Sequence, residues 1–149
     1  MRDLTNAEVM AHLLSNQAVA LSKDAKIEEA LSRYDDALDL APQFVAAWYN
    51  RGIDLMSAGR VKDALESFDR SIALYASDAQ AHNNRGLAKL RLGDAEGARA
   101  DWIRALGLAP GMSEAEENLK RLQAPGGTQS EVDSPYRRRA GAALGTWVR

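Results

Sequence analysis

The chain has 149 residues, 46% hydrophobic, 27% charged and only 6% aromatic, the balance of one soluble globular domain. Its net charge of -2 supplies no field that would draw the whole molecule to nucleic acid or an anionic membrane. The absence of Cys excludes disulfides, thiolate metal sites and Cys nucleophiles, and no run approaches the ~20 apolar residues that span a bilayer.

Met1 to Asn6 lack the apolar core of a signal peptide, so a cytoplasmic location is expected. Thr5-Asn6-Ala7-Glu8 reads as a capping box that opens the first helix. From Ala11 to Met112 the chain repeats itself when shifted by 34 residues. Ala30, Ala64 and Ala98 fall in one column, and Tyr34, Phe68 and Trp102 in an aromatic column four residues on. Ala18, Gly52 and Gly86 form a small column, and Leu40, Leu74 and Leu108 an apolar one. Three units follow, 11–44, 45–78 and 79–112, each predicted to be two helices. In the second, Ala46–Ser57 and Arg60–Leu74 flank Gly59; in the third, Gln80–Arg91 and Asp94–Leu108 flank Gly93. The first has only Asp24-Ala25-Lys26 at its turn. Pro42 and Pro110 are expected to stop the second helices, because Pro cannot continue one.

Small residues at Gly52 and Ala64, or Gly86 and Ala98, let two antiparallel helices approach, and the aromatic column fills the space between neighbouring pairs. A single pair cannot bury its own apolar face, so the units must stack. Ser113–Gln123 starts a fourth unit and ends after one helix, apolar on one stripe (Ala115, Leu119, Leu122), as a solenoid cap should be. Residues 1–123 are therefore expected to form the domain. Residues 124–149, opening with Ala124-Pro125-Gly126-Gly127, are expected to form a linker-like, flexible tail. Within that tail Ala140, Ala143, Leu144, Trp147 and Val148 recur at helical spacing, an alternative docking stripe.

The columns around Trp48-Tyr49-Asn50-Arg51-Gly52, with Gly59, Ala64, Phe68 and Pro110, resemble the tetratricopeptide repeat over about two-thirds of the chain. The resemblance implies an all-α, right-handed solenoid of three helix–turn–helix repeats with a C-terminal capping helix. This sequence departs from the pattern at His82 in the Leu14/Trp48 column, at Lys89 in the Leu21/Leu55 column, and at Arg51 and Arg85, where Leu is commoner.

In that family the first helix of each unit lines a concave groove. Asn16, Asn50, Asn84 and Asn118 share one groove column, and an amide can pair with both N–H and C=O of an extended peptide. The ladder is similar to that of O-linked N-acetylglucosamine transferase. Val19, Ile53 and Leu87, joined by Tyr49, Met56 and Leu90, add an apolar strip, and Lys23 and Arg91 put positive charge on one lip. The clamp with which some relatives grip a chaperone's terminal carboxylate is matched only at Asn50. Ser15, Val19, Gln80 and Asn84 replace its other polar and cationic residues, so a carboxylate has little to pair with.

The expected role is a scaffold or adaptor that binds a partner protein or peptide in the groove. The first alternative is a self-associating module, a homo-oligomer; a nucleic-acid contact through Arg137-Arg138-Arg139 is a weaker one. No enzyme, cofactor or catalytic site is expected. His12 and His82 lie two units apart, and neither a phosphate loop nor metal-ligand spacing is present. Glu28-Glu29 and Asp35-Asp36 read as the solvated face of a helix.

Overall fold

Seven α-helices follow one another in the computed structural model, which describes residues 5–124. They are α1 (Asn6–Lys23), α2 (Ile27–Leu40), α3 (Val45–Ser57), α4 (Val61–Leu74), α5 (Ala79–Arg91), α6 (Ala95–Leu108) and α7 (Ser113–Gln123). The Thr5 hydroxyl accepts the Glu8 amide while the Glu8 carboxylate accepts the Thr5 amide, so the capping box forms as expected. Residues 125–149, with the tail stripe and the Arg137–Arg139 run, lie outside the described residues.

The three hairpin turns are closed by one device. The amides of Lys26, Arg60 and Asp94 each donate to a carbonyl five residues back, on Leu21, Leu55 and Lys89, at 2.9 Å. That closure needs a left-handed residue just before the donor. Gly59 and Gly93 supply φ of 76° and 88°, and Ala25 adopts φ 60° without a glycine's freedom. The second helices end at Leu40, Leu74 and Leu108 alike, although Ala76 stands where the other units have Pro. Proline reinforces a stop that the cap residues Ala41, Tyr75 and Ala109 already make by leaving helical φ and ψ.

Each odd helix packs antiparallel on the next, and each even helix also packs on the odd helix that follows. The odd helices α1, α3 and α5 touch in series, whereas no two even helices come equally close. A stack that is tight on one layer and splayed on the other curves towards the tight layer. The inner wall is therefore made by the odd helices.

The small and aromatic columns form the core. Ala30, Ala64, Ala98, Phe68 and Trp102 are completely buried, and Tyr34 nearly so. A Cβ built on Gly52 would lie 2.6 Å from Phe68 Cε1, and one on Gly86 2.7 Å from Trp102 Nε1. The rings therefore seat within their own hairpins, in the hollow that the missing side chain leaves.

The departures from the repeat pattern are electrostatic. Arg51 Nε donates to Asp35 of the preceding hairpin at 2.7 Å, and its Nη1 donates to Ser67 of its own at 2.7 Å. One unit later Arg85 repeats this, with Nη1 donating to Asp69 at 3.0 Å and Nε and Nη2 to Asp101. These guanidinium groups tie α3 and α5 each to the even helix on either side. Asp35 thus carries an inter-repeat ion pair rather than only a solvated surface.

Candidate functional site

The inner wall carries the residues expected of a groove, at unequal depth. Asn16 is exposed and Asn50 half-buried, while Asn84 and Asn118 are only 7% and 6% exposed. Asn84 Nδ2 donates to the Tyr49 hydroxyl at 2.9 Å, joining α5 to α3. Asn118 Nδ2 donates to Asn83 Oδ1 at 3.1 Å, joining α7 to α5. The amide column thus runs from open at α1 to engaged within the wall at α5 and α7.

The apolar strip follows the same gradient. Val19, Ile53 and Tyr49 are half-buried, whereas Leu87, Met56 and Leu90 are buried. Lys23 is exposed at the end of α1; Arg91 is half-buried and donates through Nη1 to the Met56 carbonyl at 3.0 Å. A further tie was not legible beforehand. Ser22 donates to Asp54 Oδ1 at 2.6 Å, so a buried carboxylate on α3 holds α1. Asp54 faces Ala20 and Ala88 in its column, and that singularity was its only sequence signal.

Outside the groove, three departures converge on one carboxylate. Asp101 is 5% exposed at its side chain and receives Nε and Nη2 of Arg85 at 2.9 and 2.7 Å. Lys89 Nζ lies 2.9 Å from its Oδ2, and His82 Nδ1 3.5 Å from its Oδ1. Burial pushes the Asp101 carboxyl up, but hydrogen bonds from Arg85 and Lys89, with their charges, outweigh it and hold the pKa below its ordinary value. Arg85 is raised by its bond to Asp101, against the opposing effect of burial. His82 also replaces Trp48 as a donor. Trp48 Nε1 donates to the Pro42 carbonyl at 2.8 Å, and His82 Nε2 meets the equivalent Ala76 carbonyl at 2.9 Å. A carbonyl only accepts, so Nε2 carries the hydrogen. The columns expected to be apolar thus hold at His82 a ring bonded to the Ala76 carbonyl and at Lys89 a cation paired with Asp101.

A family model described as tetratricopeptide repeat matches residues 16–53 and 49–113. The chain belongs to the tetratricopeptide repeat (TPR) family. The first TPR of Spaghetti (RPAP3), bound to an HSP90 peptide, is 26% identical with a TM-score of 0.75, over 77% of this chain and 91% of that one. The first TPR domain of human RPAP3 is 25% identical with a TM-score of 0.73, over 87% and 96%. The Arabidopsis OM64 TPR domain, 21% identical with a TM-score of 0.77 over 79% and 98%, shares the fold. No curated protein matches the chain by sequence. A TPR solenoid is a protein–protein interaction module, and none of the described helices is long and apolar enough to cross a membrane.

Proposed function

We propose that this TPR chain is an adaptor that captures an extended peptide of a partner protein along the inner wall of α1 and α3. The observation that carries the reading is the open half of the wall, where exposed Asn16 and half-buried Asn50 stand beside half-buried Val19, Ile53 and Tyr49. Two amides one repeat apart can hold main chain while the apolar residues take side chains. Asn84 and Asn118 then act from behind: Asn84 fixes the Tyr49 hydroxyl, and Asn118 secures the last helix. The RPAP3 domain with its HSP90 peptide supports this class of ligand. The carboxylate-gripping cations are replaced by Ser15, Gln80 and Asn84, which favours an internal peptide segment over a free C-terminus.

The test uses peptides selected on the full chain from a random displayed library, with binding read by fluorescence polarisation. Combining Asn16→Ala with Asn50→Ala is expected to weaken them at least about tenfold, the equivalent of ~1.4 kcal/mol, with an unchanged thermal melt. Amidating the peptide C-terminus is expected to change nothing. Equal binding by the double variant would remove the open amides from the reading, and dependence on a free carboxylate would restore a clamp.

A further inference from the structure

The inner wall repeats one pair of side chains at the step of the stack. Val19 follows Asn16 by three residues on α1, and Ile53 follows Asn50 by three on α3, so each helix turns one amide and one apolar side chain to the same face. α1 and α3 touch, and helices in contact lie about 8–10 Å apart, axis to axis. The open wall therefore offers a hydrogen-bonding group and an apolar contact once every ~10 Å along the stack. From Asn16 and Val19 across to Tyr49, Asn50 and Ile53 these side chains carry no charge, and the cation Lys23 stands at the lip. Aromatic rings border the wall. Asn84 Nδ2 donates to the Tyr49 hydroxyl, and the Tyr49 ring meets Phe68 edge-on with centroids 6.2 Å apart, so its orientation is fixed. His12, exposed one turn before Asn16, leans on Phe44 with ring centroids 4.3 Å apart and planes tilted by 52°.

We infer that the open wall takes a proline-rich segment of the partner in the polyproline II conformation. This rests on peptide capture by α1 and α3 and names the composition and conformation captured. The decision lies in the step. Side chains on one edge of a β-strand recur every two residues, at about 6.6 Å, and next at about 13 Å. Neither matches ~10 Å. Polyproline II repeats every three residues at 3.1 Å each, about 9.3 Å, so residues three apart present the same groups in the same direction. One carbonyl then meets Asn16 Nδ2 and the carbonyl three residues on meets Asn50 Nδ2, while the side chains beside them rest on Val19 and Ile53. This conformation has no internal hydrogen bonds, so those carbonyls are available. Proline has no N–H to strand against an apolar wall. Proline rings pack on aromatic faces such as Tyr49 and the His12–Phe44 pair, and an uncharged segment suits an uncharged wall. A segment already held in this shape also loses less freedom on binding.

Fluorescein-labelled decaproline is the direct probe, read by fluorescence polarisation on the full chain. It is expected to bind, and all-D decaproline, whose helix has the opposite hand, to bind at least about tenfold more weakly. Asn16→Ala, at an exposed position, is expected to weaken decaproline about fivefold with an unchanged thermal melt, and Tyr49→Ala about tenfold. Peptides selected from a random displayed library are expected to carry prolines or apolar residues three apart. Inserting one alanine between those two is expected to weaken them at least about tenfold. Selected peptides that need Asn16 and Asn50 but carry their anchors two or four residues apart overturn the inference and leave peptide capture standing. Decaproline that binds no better than its mirror image, or as well after Asn16→Ala, overturns it too. If no selected peptide needs either amide, capture itself fails and this inference fails with it.

Discussion

Arg85 grips Asp101 with two parallel hydrogen bonds, Nε to Oδ2 at 2.9 Å and Nη2 to Oδ1 at 2.7 Å, across the interface between α5 and α6. Planar, bidentate pairing of this kind orders both side chains and is stronger than a single contact. The third guanidinium nitrogen reaches Asp69 on α4, so one arginine joins three helices from two hairpins.

Because the folded-state pKa of Asp101 is lowered, its stabilisation is complete above the ordinary carboxyl value of 3.8, begins to fall below it, and is lost as the pH drops through the lower folded-state value. Asp101→Asn leaves Lys89 and Arg85 against a neutral amide. The cost is expected to be about 3 kcal/mol at pH 7, the low end for breaking a buried pair because both cations are partly solvated. Urea unfolding at pH 7 and pH 3 checks this: the gap between the parent chain and the variant should narrow at pH 3. An equal gap at both values would mean that the carboxylate charge is not what matters.

Lys89 and Asp101 should also be energetically coupled. The second hairpin manages the same positions with Leu55 and Ser67, a neutral solution to the same packing. Asp101→Ser alone strands the Lys89 ammonium, and Lys89→Leu alone removes one of the carboxylate's donors. The double change recreates the neighbouring hairpin's pair. A double-mutant cycle is expected to give a coupling of about 1–2 kcal/mol, with the double variant more stable than the two separate losses imply. Simple additivity would place the two residues in separate interactions.

Ala25 offers a gain. Its φ of 60° is a left-handed conformation that costs a side-chain-bearing residue about 1–2 kcal/mol, and the equivalent residues are Gly59 and Gly93. Part of that relief is offset by the greater freedom glycine has in the unfolded chain. Ala25→Gly is expected to raise stability by up to about 1 kcal/mol, read as a later urea midpoint with an unchanged slope. A lower midpoint would show that the turn is not strained.

Much of the architecture was legible because it is periodic. A 34-residue register, glycines at two turns, and matched small and aromatic columns follow from needs that every hairpin has: close approach, a turn, and a filled hollow. Helix spans read from these signals agree with the structure to within a residue from Ala46 onwards, and α1 begins at Asn6, where its capping box indicated. The sequence by itself therefore determined how many hairpins there are, where each turns and which columns are buried, but placed the aromatic rings between neighbouring pairs when Phe68 and Trp102 seat within their own.

What only the tertiary structure decided is what the exceptions do. His82, Lys89 and Arg85 break three separate columns, and nothing along the chain says that they share Asp101, because that meeting depends on how α5 lies against α6. The same holds for the amide column. Asn16, Asn50, Asn84 and Asn118 are identical in sequence position, yet two are open to varying degrees and two are spent on bonds between neighbouring odd helices. Periodicity fixes which wall a side chain is on. Its depth in that wall is set by the distances between helices, which no repeat unit encodes alone.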